Sequence, residues 1–273
     1  MSRLINILNK VYKQLILFLK TPRLTILLFQ VRVIERYLKI DLFFLSPRRL
    51  IIFFIEKTLL KNTHSKKMKN YGNYKLDTTR IANNSIIYSG GVGRNIEFDL
   101  SVNKRHKCKV RLFDPTKNSI DYIKGIKLRK NIFFYPFALF NKNQKVKLYQ
   151  DPSNRVKSAS INNFFSFKKN SYFWAQAYTL NTLKKKFKDK NIDILKLDIE
   201  GVAEDVILDC FKKKIFPMQI VSAFEVPLNY IKFFVFIKRI LNLIKILKKN
   251  YHLYNLRDRS RGVEMEILAI KYK

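Results

Sequence analysis

Cysteine is scarce in this 273-residue chain: Cys108 and Cys210 stand far apart, with no partners at metal-ligand spacing. The pattern argues against a disulfide framework, fits a reducing compartment and leads us to expect no metal. Acids are scarce as well, 20 Asp and Glu against 55 Lys and Arg, which gives a formal net charge of +35. A balance so basic points to an anionic partner such as a membrane surface or nucleic acid. Codon bias explains many lysines but not so few acids. No apolar run reaches the ~20 residues of a transmembrane helix, and no small-residue cleavage site follows an apolar core as in a signal peptide. A Gly-x-Ser-x-Gly elbow and a phosphate loop ending in Gly-Lys-Ser/Thr are also missing. What remains is 47% hydrophobic and 14% aromatic, enough for a sizeable core in one domain with an appendage.

The appendage is residues 1–69, where apolar clusters alternate with basic residues such as Lys13, Lys20, Arg32, Arg36, Arg48 and Arg49. Basic amphipathic helices lying on a membrane have this character; a helical cap with solvated lysines is the alternative. The polar stretch NTHSKKMKNYGN at 62–73 reads as a linker. Residues 70–273 then form the main domain.

From Ile81 the pattern becomes strand, turn, helix. Residues 85–89 (SIIYS) read as a first buried strand, followed by Gly90, Gly91 and Gly93, which let the backbone turn sharply and approach a ligand. A helix at 95–102 leads to a second strand at 109–113 that ends on Asp114. An acid there, about 20 residues beyond the glycines, is placed to receive ribose hydroxyls, unless it caps the next helix. A third strand is expected at 132–139, an edge strand at 146–149, and a polar loop overhanging the site at 151–161. The central stretch, NIDILKLDIEGVAEDVI at 191–207, reads as a buried parallel strand feeding a turn and a helix. It places Asp198 and Glu200 at the carboxyl end of the strand, where open α/β sheets bind ligands; acids dressing a helix N-terminus are the plainer reading. A strand at 219–224 ends on Glu225. An amphipathic helix at 230–249 and two closing strands, joined by a charged turn with Gly262, complete the chain.

Three segments together, the glycine turn at 89–93, FDP at 113–115 and LKLDIEG at 195–201, resemble the FkbM-type methyltransferases over roughly residues 81–272. The resemblance implies an α/β, Rossmann-like methyltransferase fold, mostly parallel with a C-terminal antiparallel strand. It implies S-adenosylmethionine as cofactor, lined by Ser89, Gly90, Gly91, Gly93 and Ala138, with Asp114 on the ribose. Ser89 stands where the family usually has an acid, so Glu97 or Asp99 must supply the missing contact. Asp198, Glu200 and Glu225 are the expected catalytic acids, with Asp198 favoured as the base; His106 and His252 are less well placed. The reaction is then methyl transfer by direct displacement, to a hydroxyl of a glycan or other small molecule, in the cytoplasm or at the inner membrane face. The alternatives are an RNA methyltransferase, which the charge favours but the turn Asp198-Ile-Glu-Gly does not, and a non-catalytic membrane-surface binding protein.

Overall fold

The computed structural model describes residues 47–63, 67–150, 159–161, 171–227, 229–256 and 264–272. The expectations for residues 1–46, most of the loop at 151–161 and the turn at Gly262 lie outside the described residues. The chain divides into two units, Met1–Ile51 and Ile52–Lys273; of the first, only the opening of a helix is described.

Chain order is helix α1 (Pro47–Leu59), the short strand β1 (Lys61–Asn62), then a hairpin of β2 (Met68–Tyr71) and β3 (Tyr74–Asp77). Next come β4 (Ile86–Gly90), α2 (Glu97–His106), β5 (Lys109–Phe113), α3 (Lys117–Lys124) and β6 (Ile132–Tyr135). The short strands β7 (Ala138–Leu139), β8 (Gln144–Gln150), β9 (Ala159–Ser160) and β10 (Tyr172–Tyr178) follow. The last third holds α4 (Leu180–Lys186), β11 (Ile194–Leu197), α5 (Ala203–Lys212), β12 (Gln219–Glu225), α6 (Tyr230–Leu247), β13 (Tyr251–Asn255) and β14 (Glu264–Lys271).

The central sheet has the order β1-β13-β14-β12-β11-β4-β5-β6. Its strands β12, β11, β4, β5 and β6 run parallel, and β14 lies antiparallel between β12 and β13. This is the Rossmann-like, mostly parallel architecture that the sequence led us to expect. All four residues of β11 are buried, as befits a parallel strand covered on both faces. The chain leaves β4 for β5 on one side and later returns to β4's other side as β11. That reversal opens a crevice at the carboxyl ends of β4 and β11.

Three local expectations change. The stretch at 132–139 is two strands: Pro136 carries no N–H for a ladder, so β6 stays in the central sheet while β7 joins a second one of order β7-β10-β8-β9. Residues 146–149 lie inside that second sheet, paired with both β10 and β9. The expected linker carries the hairpin instead, with Tyr71 and Tyr74 1% and 8% exposed in the main core. Two aromatic rings bracketing Gly72 anchor the hairpin by apolar burial, which a linker would not need.

Candidate active site

The site begins at the glycine turn. Gly91 sits at φ +81°, and a Cβ there would fall 1.8 Å from the backbone oxygen of Asp198. Only glycine lets the ends of β4 and β11 come this close. The turn's amides are committed within the protein: Gly91 N donates to the Phe113 carbonyl (3.0 Å), and Val92 N and Gly93 N both donate to Asp114 Oδ2 (2.9 and 3.1 Å). Asp114 Oδ1 accepts from the Thr116 amide and hydroxyl (2.9 and 2.7 Å). Thr116 in turn caps α3 through Ser119 N. The four acceptor positions of the Asp114 carboxylate are thus filled, tying the glycine turn to the start of α3.

The crevice is a cleft of about 310 Å³, lined among others by Tyr74, Gly91, Gly93, Asp114, Ala138, Lys196, Asp198 and Glu200. Phe98, Phe113, Leu139 and Leu148 supply apolar walls. Lys196 is the residue that sequence reasoning missed. It belongs to the buried run of β11 and is 4% exposed. Its Nζ donates to the Gly91 carbonyl (2.7 Å) and lies 3.8 Å from Asp198 Oδ2. A lysine is almost never buried without counter-charges, and here Asp198 is one and Asp99 the other.

Asp99 comes from α2, 1% exposed, and faces Lys196. Burial pushes its carboxyl up to about 6, against the pull of the Lys196 charge. The Ser89 hydroxyl lies beside it, too loosely placed for a well-formed hydrogen bond. Of the two acids offered as substitutes for the one missing at Ser89, Asp99 is buried beside Ser89 and Glu97 is exposed, and neither lines the cleft. Neither Ser89 nor Asp99 lines the cleft; they form its underlay.

Asp198 follows the end of β11 with its carboxylate 43% exposed, and Tyr74 from the hairpin donates its hydroxyl to Oδ2 at 2.8 Å. Burial, together with the Asp198 charge, raises the Tyr74 phenol well above its usual value, so it stays a donor. Glu200 lines the same cleft, and Glu225 at the end of β12 is hydrogen-bonded to it. Burial first, and the Glu200 contact second, raise Glu225 well above the carboxylate range. Glu225 Oε2 also accepts from Gly201 N (3.2 Å). A neighbouring cavity of about 270 Å³ between β12, α5 and α6 is lined by Glu225, and Val202 borders both spaces. The histidines lie elsewhere: His106 bonds Tyr71 at 2.6 Å, and His252 packs on Tyr272. Among the described residues no three His, Cys, Asp or Glu cluster as metal ligands.

Apolar walls above a charged floor are the two environments required by a nucleoside joined to an amino acid, so the cleft fits S-adenosylmethionine. Its volume lies at the lower end of the usual cofactor-site range.

Residues 72–251 match the methyltransferase FkbM domain. No curated protein matches the chain. Among solved structures, TrmK of M. capricolum in complex with S-adenosyl-homocysteine is similar at 12% identity and TM-score 0.34, over 71% of this chain and 65% of that one. This chain therefore spans about two thirds of that protein's length. M. jannaschii TYW2 in complex with AdoMet is similar at 14% identity and TM-score 0.35, over 77% and 87% of the two chains. An rRNA methylase from Streptococcus thermophilus gives 10% and 0.35, over 71% and 92%. With two thirds of its length in the matching domain and the glycine turn, Asp114 and the LKLDIEG segment assembled at one crevice, the chain belongs to the FkbM family of S-adenosylmethionine-dependent methyltransferases.

Proposed function

We propose that this enzyme methylates a hydroxyl of a small-molecule or glycan acceptor, with the Glu200–Glu225 pair taking the proton and Asp198 orienting the reacting groups. The observation that carries this reading is the pair of adjoining carboxyls at the ends of β11 and β12, one member of which lines the cleft. When bound, S-adenosylmethionine supplies an electrophilic methyl group on a sulfonium. Two adjoining carboxyls cannot both ionise easily, so they share one proton, and burial keeps that proton on Glu225. The Glu225 hydroxyl then donates to Glu200, and the Glu200 carboxylate faces the cleft ready to receive the acceptor's proton as its oxygen takes the methyl. A base so placed is worth ~10²–10⁴ in rate. Asp198, fixed by Tyr74 and balanced by Lys196, has the rigidity of an orienting group rather than of a proton carrier.

The test uses methyl-labelled S-adenosylmethionine with extracts of polar metabolites, glycans and RNA. A methyl ether identified by mass spectrometry in the first two fractions is expected, and Glu200→Gln should lower kcat ~10²–10⁴-fold. Label recovered in RNA, or in a carboxyl ester, would replace this acceptor with another.

We propose further that residues 1–69 hold the enzyme at the cytoplasmic face of an anionic membrane. In α1, Phe53 and Phe54 are 51% and 63% exposed, and Lys57 lies over the Phe53 ring. No helix among the described residues is long and apolar enough to cross a membrane. Pelleting with phosphatidylserine vesicles should fall on Phe53→Glu and Phe54→Glu together; undiminished pelleting would remove α1 from the contact.

A further inference from the structure

We infer that Lys196 and Asp198 read the α-amino acid end of the cofactor as a zwitterion, Lys196 receiving its carboxylate and Asp198 its ammonium; the inference rests on the methyltransferase reading. The argument starts from what is already committed. A ligand carboxylate needs a cation or free amides. The glycine turn, the usual source of amides at such a crevice, has none to give at Gly91, Val92 or Gly93, whose N–H groups all bond within the protein. At the start of α2 two amides are engaged, Asn95 N on the Val92 carbonyl and Glu97 N on Asn95 Oδ1, and the helix carries no side-chain cap, so a cation in the floor is the stronger partner for a carboxylate than the amides that follow. Two cations line the cleft among the described residues, Arg94 and Lys196. Arg94 is exposed and leans on Asn118 (3.4 Å). Lys196 is fixed in the floor, and an ammonium has three hydrogens. One goes to the Gly91 carbonyl. The Asp198 contact at 3.8 Å is an ion pair longer than a hydrogen bond, so donors remain for a ligand.

Asp198 complements this. Its Oδ2 is held by Tyr74 and turned towards Lys196, while the carboxylate is 43% exposed in the cleft. A fixed positive group and a fixed negative group a few ångströms apart match the spacing of an amino acid's carboxylate and ammonium. Asp99, buried against Lys196 from below, keeps the floor from carrying an excess positive charge once Asp198 is drawn to the ligand.

The experiment is calorimetry on the full chain with S-adenosylhomocysteine and with its decarboxylated form, S-adenosyl-3-thiopropylamine. The wild type should prefer the former by about 10- to 100-fold, the worth of a charge-assisted hydrogen bond. Lys196→Met should lose that preference by weakening S-adenosylhomocysteine alone, and Lys196→Arg should restore part of it. If Lys196→Met weakens both ligands by the same factor, Lys196 merely holds the glycine turn and the inference falls. Asp198→Asn, at an exposed position, provides a second arm: it should weaken S-adenosylhomocysteine but not the deaminated analogue, and equal weakening overturns the assignment even if Lys196→Met does not fold. A wild type that binds neither ligand removes the cofactor reading and this inference together, whereas binding of both without preference removes only the inference.

Discussion

Two cations are buried in the strands that flank β4 in one sheet, Arg111 in β5 and Lys196 in β11, and they serve opposite ends. The Arg111 guanidinium meets both oxygens of Asp189 (2.6 and 2.9 Å), donates to the Tyr135 hydroxyl (2.9 Å) and lies 4.1 Å from the Phe187 ring centroid. Tyr88 gives Asp189 a further hydrogen bond (2.8 Å). Burial works against the charge of Arg111, and the Asp189 contacts outweigh it. That network pairs the charge through two parallel hydrogen bonds and lies away from the cleft. Lys196 makes one short hydrogen bond, stands 3.8 Å from Asp198, acts on the Asp99 charge and forms part of the cleft floor. A buried ion paired bidentately with its counter-ion and away from any cleft locks a fold; one loosely paired and facing a cleft is arranged for a ligand.

The largest effect should come from breaking the bidentate pair. Arg111→Met leaves Asp189 buried without its cation and should cost about 3–5 kcal/mol, read as a lower urea midpoint or as failure to fold. A loss under about 1 kcal/mol would show that the pair is not structural. Next comes Gly91→Ala, whose methyl must push the Asp198 carbonyl away and occupy a left-handed backbone: about 3 kcal/mol for crowding and strain together. This variant should lose S-adenosylhomocysteine binding because it parts β4 from β11. Gly93→Ala is the control, since at φ +56° its Cβ meets open space; it bears the backbone strain alone, about 1 kcal/mol. Equal losses at the two glycines would mean that the close approach at Asp198 is not what Gly91 permits.

The architecture was readable because parallel strands buried on both faces are written as short β-branched runs with acids and glycines at their ends. Gly91, Gly93, Asp114, Asp198 and Glu200 all fell at one crevice for that reason, while Ser89 and Gly90 lie beneath it. The floor was not readable. Lys196 is one of 55 basic residues, and in LKLDIEG it looks like the solvated lysine of an alternating strand. Only the cover on both faces of β11 makes it buried. Tyr74 reaches Asp198 across 124 residues of sequence, from just beyond the stretch whose polarity suggested a linker; the paired tyrosines around Gly72 were the available signal. The Pro136 break was written in the chain too, since a ladder cannot pass through a residue without an N–H.

A further effect separates the two cations by pH. Asp99 rises from 3.8 to about 6 on folding, because burial outweighs the Lys196 charge. Between those values the folded state holds a proton at Asp99 that the unfolded state has released. Stability from this group is therefore greatest below about pH 4 and declines as pH rises towards 6, by about 2–3 kcal/mol in total. Asp99→Asn should flatten that part of the urea-midpoint profile, and Lys196→Met should shift the decline to higher pH, because the charge that holds Asp99 down is gone. Arg111→Met should leave this window where it was, whatever it does to overall stability. A wild-type profile without a decline between pH 4 and 6 that Asp99→Asn removes would mean that Asp99 is not buried against Lys196 in solution. The cleft floor would then be balanced by Asp198 alone.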